Sequence, residues 1–315
     1  MCRCGGRCGA QRGGGDWGQR FGCSPPSPAG GGSVFRGASH ALANPGAQLW
    51  VKRYNGRGGD AYAYSVAVSP TGKVVFVTGY SAAASGYFGY ATVAYNAATG
   101  AQLWVKRYNS GPGGTTGASS LAVSPTGAMV YVTGTSFSST KNYNYATVAY
   151  NATTGAQVWV KRYVDPAKGG DEAYSVAVSP TGKMVFVTGQ GYGNSTTGVD
   201  YAMVAYNATT GAQTWVKRYN GPANGADYAY SVAVSPTGGT VYVTGPSGGA
   251  SLSTNYATVA YNATTGAQTW VQRYGGANSP NTATSMAISP TSGTVFVTGQ
   301  GFGASEGYAT IAYHG

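Results

Sequence analysis

Side chains able to relay protons or hold a metal are few in this 315-residue chain, and they stand far apart. Its two histidines, His40 and His314, lie near opposite ends, and neither forms a Ser–His or Cys–His pattern. The four cysteines, Cys2, Cys4, Cys8 and Cys23, crowd into the first 23 residues without the paired C-x-x-C spacing of a zinc knuckle. Asp60, Asp171, Glu172 and Asp227 each lead into a recurring apolar segment. Carboxylates there suit either a cation or the capping of turns, and no D-x-D-x-D calcium loop accompanies them. Asn-Ala-Thr triplets at Asn151, Asn207 and Asn262 read first as turn chemistry and second as glycosylation acceptors. No catalytic, cofactor-binding or metal-binding residue is predicted, and no cofactor.

The elements around these residues are strands. Only 9% of residues are charged, whereas 52 are glycine and 26 tyrosine, a mixture that disfavours helix and suits a pleated surface. With 42% apolar residues the chain can bury a core. Five segments of the form GAQxWVxRY place Trp50, Trp104, Trp159, Trp215 and Trp270 at spacings of 54, 55, 56 and 55 residues. Three further apolar runs recur between them in fixed order: SVAVSPTG, a VFVTG-like run, and YATVAYNATTG. Four strands per unit of about 55 residues predict a β-propeller of four-stranded antiparallel blades.

Turn residues bound each run. Pro and Gly in SPTG preset the two halves of a tight turn, and Asn and Gly do the same in NATTG. The small, alternating SVAVS is expected innermost, VFVTG and YATVAY between neighbouring blades, and WVKRY outermost, where Lys52/Arg53 and its repeats guard the edge against aggregation. The repeats begin with the outer strand Ala47–Tyr54 and finish with the third strand at Tyr308–Tyr313. The fold expected is therefore all-β, a five-bladed propeller over residues 46–315, closed by pairing of its N- and C-terminal strands. Residues 1–45, rich in Gly, Arg, Ser and Pro, are expected to be a disordered tail.

The run Ala205-Tyr206-Asn207-Ala208-Thr209-Thr210-Gly211-Ala212-Gln213-Thr214-Trp215 resembles the tryptophan-docking motif of quinoprotein-type, or PQQ-like, propeller repeats. That motif reads Ala-x-Asp-x-x-x-Gly-Lys-x-x-Trp; Asn207 stands at its Asp and Ala212 at its Lys. Ala94 to Trp104, Ala149 to Trp159 and Ala260 to Trp270 repeat the pattern. The resemblance implies that Trp50, Trp104, Trp159, Trp215 and Trp270 dock between blades. Quinone-dependent dehydrogenases of this type use calcium-binding carboxylates, a catalytic Asp and often adjacent cysteines. These repeats hold seven acids and no cysteine, so they look more like the cofactor-free repeat proteins of bacterial surfaces and exported fractions. An extracellular or cell-surface location is implied, although no signal peptide or transmembrane run is visible.

Variation between repeats concentrates at one end of the blades. The SPTG and NATTG turns scarcely change, whereas the segments leading into the inner strands and those joining second to third strands differ in length and composition. Rigid scaffolds use such loops for recognition. Tyr80, Tyr87, Phe88, Phe137, Tyr143, Tyr192, Asn194, Asp200 and Phe302 are the candidate ligand face, the alternative being that they merely pack over the blades. The net charge of +11, four units of it in residues 1–40, permits weak polyanion contact through the basic edges. A non-catalytic, monomeric binding or scaffold module for a protein or glycan ligand is expected. A degenerate quinoprotein-like oxidoreductase, or a fragment of a larger propeller, is the alternative.

Overall fold

The computed structural model describes residues 45–109, 115–137, 142–166, 169–193, 198–249, 253–275, 280–302 and 305–315. The chain divides into two compact units, Met1–Ala47 and Gln48–Gly315. The cysteines, His40 and the first 44 residues of the expected tail lie outside the described residues.

In the second unit the four runs form four strands in blades 1 to 4. Blade 1 comprises β1 (Ala61–Val68), β2 (Val74–Ala82), β3 (Phe88–Asn96) and β4 (Gln102–Tyr108). Blade 2 holds β5 (Gly117–Val123), β6 (Met129–Phe137), β7 (Tyr143–Asn151) and β8 (Gln157–Tyr163). Blade 3 holds β9 (Glu172–Val178), β10 (Met184–Tyr192), β11 (Val199–Asn207) and β12 (Gln213–Tyr219). Blade 4 holds β13 (Ser231–Val234), β14 (Thr240–Gly248), β15 (Thr254–Asn262) and β16 (Gln268–Tyr274). Blade 5 has β17 (Thr282–Ile288), β18 (Val295–Phe302) and β19 (Glu306–Tyr313). Within each sheet the strands lie in chain order, every neighbour antiparallel, and the inner strands β1, β5, β9, β13 and β17 pack in sequence.

The turns close themselves. In the NATTG turn after β7, Asn151 Oδ1 accepts the N–H groups of Thr153 at 3.0 Å and Thr154 at 2.9 Å. Gly155 then takes a φ of +68°, and a Cβ there would lie 2.8 Å from the Trp104 ring of the preceding blade. Only glycine satisfies both the turn and the indole packed on it.

The core sits in the seams between sheets. The three seams joining blades 1 to 4 repeat the same bonds from blade n to blade n+1. Trp104 Nε1 donates to Ala152 O at 2.9 Å, Trp159 Nε1 to Ala208 O at 3.0 Å and Trp215 Nε1 to Ala263 O at 3.1 Å. The indole of Trp104 lies between Phe76 of its own blade and Tyr150 of the next. The fully buried Tyr90, Tyr145 and Tyr201 donate to Ala146, Ala202 and Ala257 carbonyls. Ser65, Ser120 and Ser175 hydroxyls accept N–H groups of Leu121, Val176 and Val232. These buried hydroxyls and indoles thus find partners across the seam, as burial demands.

Two expectations need correction. Among the described residues the fifth sheet has three strands, and Gln48–Tyr54 forms no ladder with β19. Trp50 Nε1 nevertheless donates to Ala97 O of blade 1 at 2.9 Å, as the later indoles do to the blade that follows them, although its segment forms no strand. Val66 of β1 is consequently 65% exposed and Tyr308 of β19 87% exposed, whereas their internal counterparts are buried. The outer-strand arginines are also more than edge guards. Arg107 Nη2 donates to Ser81 Oγ and Ala82 O, both at 2.7 Å; Arg162 Nε donates to Tyr108 OH at 2.9 Å; Arg273 Nη1 donates to Tyr219 OH at 2.8 Å. The last two tie one blade to its predecessor.

Candidate functional site

The variable end of the blades is built from the ends of the second strands, the starts of the third strands and the segments leading into the inner strands. Tyr80 lies near the end of β2, with Tyr62 and Tyr64 of β1 at ring distances of 4.8 and 5.4 Å and Phe88 of β3 set edge-on at 5.0 Å. A hydroxyl hydrogen bond with Tyr64, then partial desolvation, pushes the Tyr80 phenol up to about 12. Beside this cluster, between the Trp50 segment and blade 1, lies a cavity of about 210 Å³ lined by Trp50, Tyr54, Tyr62, Tyr80 and Tyr95. Tyr87 is exposed on the loop above.

On blade 2, Phe137 and Tyr143 are cross-strand partners with rings edge-on at 5.4 Å, and Tyr143 is exposed. On blade 3, Tyr192 is exposed at the end of β10. Phe302 lies half-buried at the end of β18, its N–H held by Asn281 Oδ1 at 2.8 Å. These residues share an end of the sheets but belong to separate blades, so the structure groups them as local pairs. Asn194 lies outside the described residues. Asp200 does not belong to an exposed surface: it is buried in β11, with Arg218 Nε 3.7 Å from its Oδ2.

Asp200 lies beside a polar staple beneath the rim, in which Asp171 and Asp227 cap backbone N–H groups, as one of the two readings of these acids expected. The residue two places before the fixed inner-strand alanine is Thr116, Asp171, Asp227 and Asn281 in blades 2 to 5. Asp171 accepts Asp165 N–H at 2.7 Å and Tyr192 N–H at 3.0 Å; Asp227 accepts Gly221 N–H at 2.7 Å and Gly248 N–H at 3.1 Å. Each carboxylate therefore fastens the incoming connection to the end of the second strand. Arg218 forms an ion pair with Asp165, whose carboxylate also accepts the Tyr163 hydroxyl at 3.0 Å. Burial pushes the Asp171 carboxyl up to about 6, against the pull of its two N–H donors, with Asp165 adding to the rise and Arg218 opposing it. Asp227 is raised by burial too, offset by the Ser247 hydroxyl, its two N–H donors and Arg273.

Two pairs of tyrosines and a single one, Tyr62 and Tyr64, Tyr228 and Tyr230, and Tyr174, were also missed. They precede the small-residue inner strands, and their alternation with alanine is visible in AYAYS, EAYS and DYAYS. Tyr62, Tyr64 and Tyr230 are exposed, and Tyr174 and Tyr228 partly so.

The acids do not fit a calcium-held quinone. Asp165, Asp171, Asp200 and Asp227 are buried and engaged with Arg218 or backbone N–H groups, so they do not converge on an open position. Among the described residues no three His, Cys, Asp or Glu side chains stand together as a metal site, and no helix is long and apolar enough to cross a membrane.

A protein family described as outer membrane protein assembly factor BamB matches residues 36–202 and, in a second register, 144–311. No curated protein matches the chain by sequence. Similar solved structures include the hydrazine synthase of Kuenenia stuttgartiensis, with 14% identity over 75% of this chain and 73% of that one and a TM-score of 0.42. The β-propeller domain of the Trilobed protease from Pyrococcus furiosus is 12% identical over 81% of this chain and 70% of that one, TM-score 0.48. A quinohemoprotein alcohol dehydrogenase from Pseudomonas putida HK5 is 16% identical over 75% of this chain but 38% of its own length, TM-score 0.46.

Proposed function

The chain belongs to the PQQ-like β-propeller repeat family described as outer membrane protein assembly factor BamB, and from that premise we propose that it is a non-catalytic binding or scaffold propeller, exported or held at the cell surface. One observation carries this reading. The SPTG and NATTG ends of the sheets are spent on turns satisfied by their own side chains, while the opposite end bears exposed aromatics that differ from blade to blade. A rigid body with one varied aromatic end suits recognition: tyrosine supplies contact area with few torsions to freeze.

Binding of purified chain to arrayed envelope proteins and glycans, retained after the basic edges are neutralised and lost when Tyr87 and Tyr143 are changed to Ser, supports the reading. Dye-linked oxidation on adding quinone and calcium, with a raised melting midpoint, overturns it in favour of an oxidoreductase. Binding that vanishes between low and moderate salt, and with Lys106→Gln plus Lys217→Gln, assigns it to polyanion contact at the edges instead.

A further inference from the structure

We propose that the tyrosines at the start of the inner strands of blades 3 and 4, Tyr174 on a bulge of β9 and Tyr228 and Tyr230 just before β13, form a binding rim for a neutral oligosaccharide, with Glu172 and Gln190 as its polar partners. This rests on the reading of the chain as a binding propeller and names one subsite within its variable end.

The backbone sets these rings apart. In β9 the pairing with β10 steps from Ser175 opposite Thr188 to Ala173 opposite Gly189, so Tyr174 has no partner across the ladder. The same irregularity falls at Tyr64, Ser119 and Thr284 in β1, β5 and β17. A bulge of this kind re-aims the side chain it carries. Its neighbours are committed to the seam: Ala173 and Ala229 are fully buried, and Ser175 Oγ accepts Val232 N–H at 3.3 Å. Displaced from that alternation, Tyr174 meets Tyr230 of the next blade at a ring distance of 5.5 Å, and Tyr230 lies stacked over Tyr228 at 6.2 Å with 22° between planes. Three rings from two blades form a continuous aromatic strip, with Tyr230 37% exposed.

The strip is held in place before any ligand arrives. Tyr174 OH donates to Gln190 Oε1 at 2.6 Å, Glu172 Oε2 lies 3.3 Å away, and Gln190 Nε2 donates to Gly170 O at 3.4 Å. Such fixing lowers the ordering cost of binding. Phenol faces complement the C–H faces of a pyranose, and a carboxylate and an amide beside them serve its hydroxyls. Charge decides the class. Among the described residues that lead into the two strands, 164–166, 169–175 and 220–231, none is lysine or arginine, and Glu172 stands at the strip. Those residues offer a polyanion no counter-charge, whereas an uncharged sugar needs none.

Titration of the full chain with cellohexaose, chitohexaose and mannohexaose, followed by calorimetry and tyrosine fluorescence, tests this, with heparin as the anionic comparison. At least one neutral hexasaccharide is expected to bind at 0.15 M salt without loss on raising salt. Tyr230→Ala and Tyr174→Ala should weaken it at least about tenfold, and Tyr174→Phe, which keeps the ring and gives a folding control, only a few-fold. If no neutral saccharide binds, or if both alanine variants bind like the parent with unchanged melting, the rim is not a sugar site. If binding is lost with Tyr87→Ser and Tyr143→Ser but not with the rim variants, the propeller still binds and the rim proposal falls. If no ligand of any class is found on the arrays, the functional reading falls with it.

Discussion

At the scale of single residues the tryptophans and Asp171 carry the clearest consequences. Trp104 is 7% exposed and fills a seam on both faces, so Trp104→Ala is expected to cost about 3–5 kcal/mol in denaturant unfolding. Trp104→Phe keeps most of the packing and forfeits the bond to Ala152 O, a loss of about 1 kcal/mol plus the cavity. Trp50, half-buried at the open side of blade 1, should lose less on the same alanine change. Asp171 titrates near 6 in the folded chain against an ordinary value of 3.8. The folded form therefore binds more protons between those values, and this site's contribution to stability falls as pH rises from about 4 through 6. Asp171→Asn should remove that slope, seen as a parent-minus-variant difference in melting midpoint that grows toward acid. Asn281 fills the equivalent position in blade 5 and accepts Phe302 N–H through Oδ1, so the substitution has a counterpart in the same chain.

At the scale of elements, strands and turns were legible because their signals are local. Period, β-branched runs, Pro-Thr-Gly and Asn-x-x-x-Gly mark each boundary without reference to any distant residue. Gly155→Ala is accordingly expected to cost more than about 1 kcal/mol, since φ is +68° and the Trp104 ring occupies the space of a Cβ; chemical denaturation checks it. What escaped reading was decided by partners far along the chain. Asp200 looked like a loop acid, yet Arg218, brought beside it by the β11–β12 ladder, draws it inward. Tyr174, just ahead of the SVAVS run, drew no reading, and only the unmatched step opposite Thr188 and Gly189 turns it to the rim. The arginines of WVKRY read as solvent-facing because the tyrosine hydroxyls that accept Arg162 and Arg273 lie 54 residues upstream.

At the scale of the whole molecule, the main contacts between blades among the described residues join sequence neighbours, so stability is approximately a sum over blades and seams. Central strands β6, β7, β10 and β11, buried on both faces, should exchange amide protons most slowly, and β1 and β19 fastest; hydrogen exchange with mass spectrometry resolves the order. The bond from indole to the alanine carbonyl of the following blade is the same at the three seams joining blades 1 to 4, and blades 3 and 4 even share the run GAQTWV. A blade emerging from the ribosome, or refolding from urea, thus meets several surfaces that accept it equally well. Only the tether to its true neighbour favours the correct one, because a short connection makes that encounter local while every rival must close a long loop. Out-of-order docking, with one blade trapped against a look-alike or against another chain, is the failure to which this architecture is most exposed, and dilution during refolding suppresses the route between chains while leaving the one within a chain.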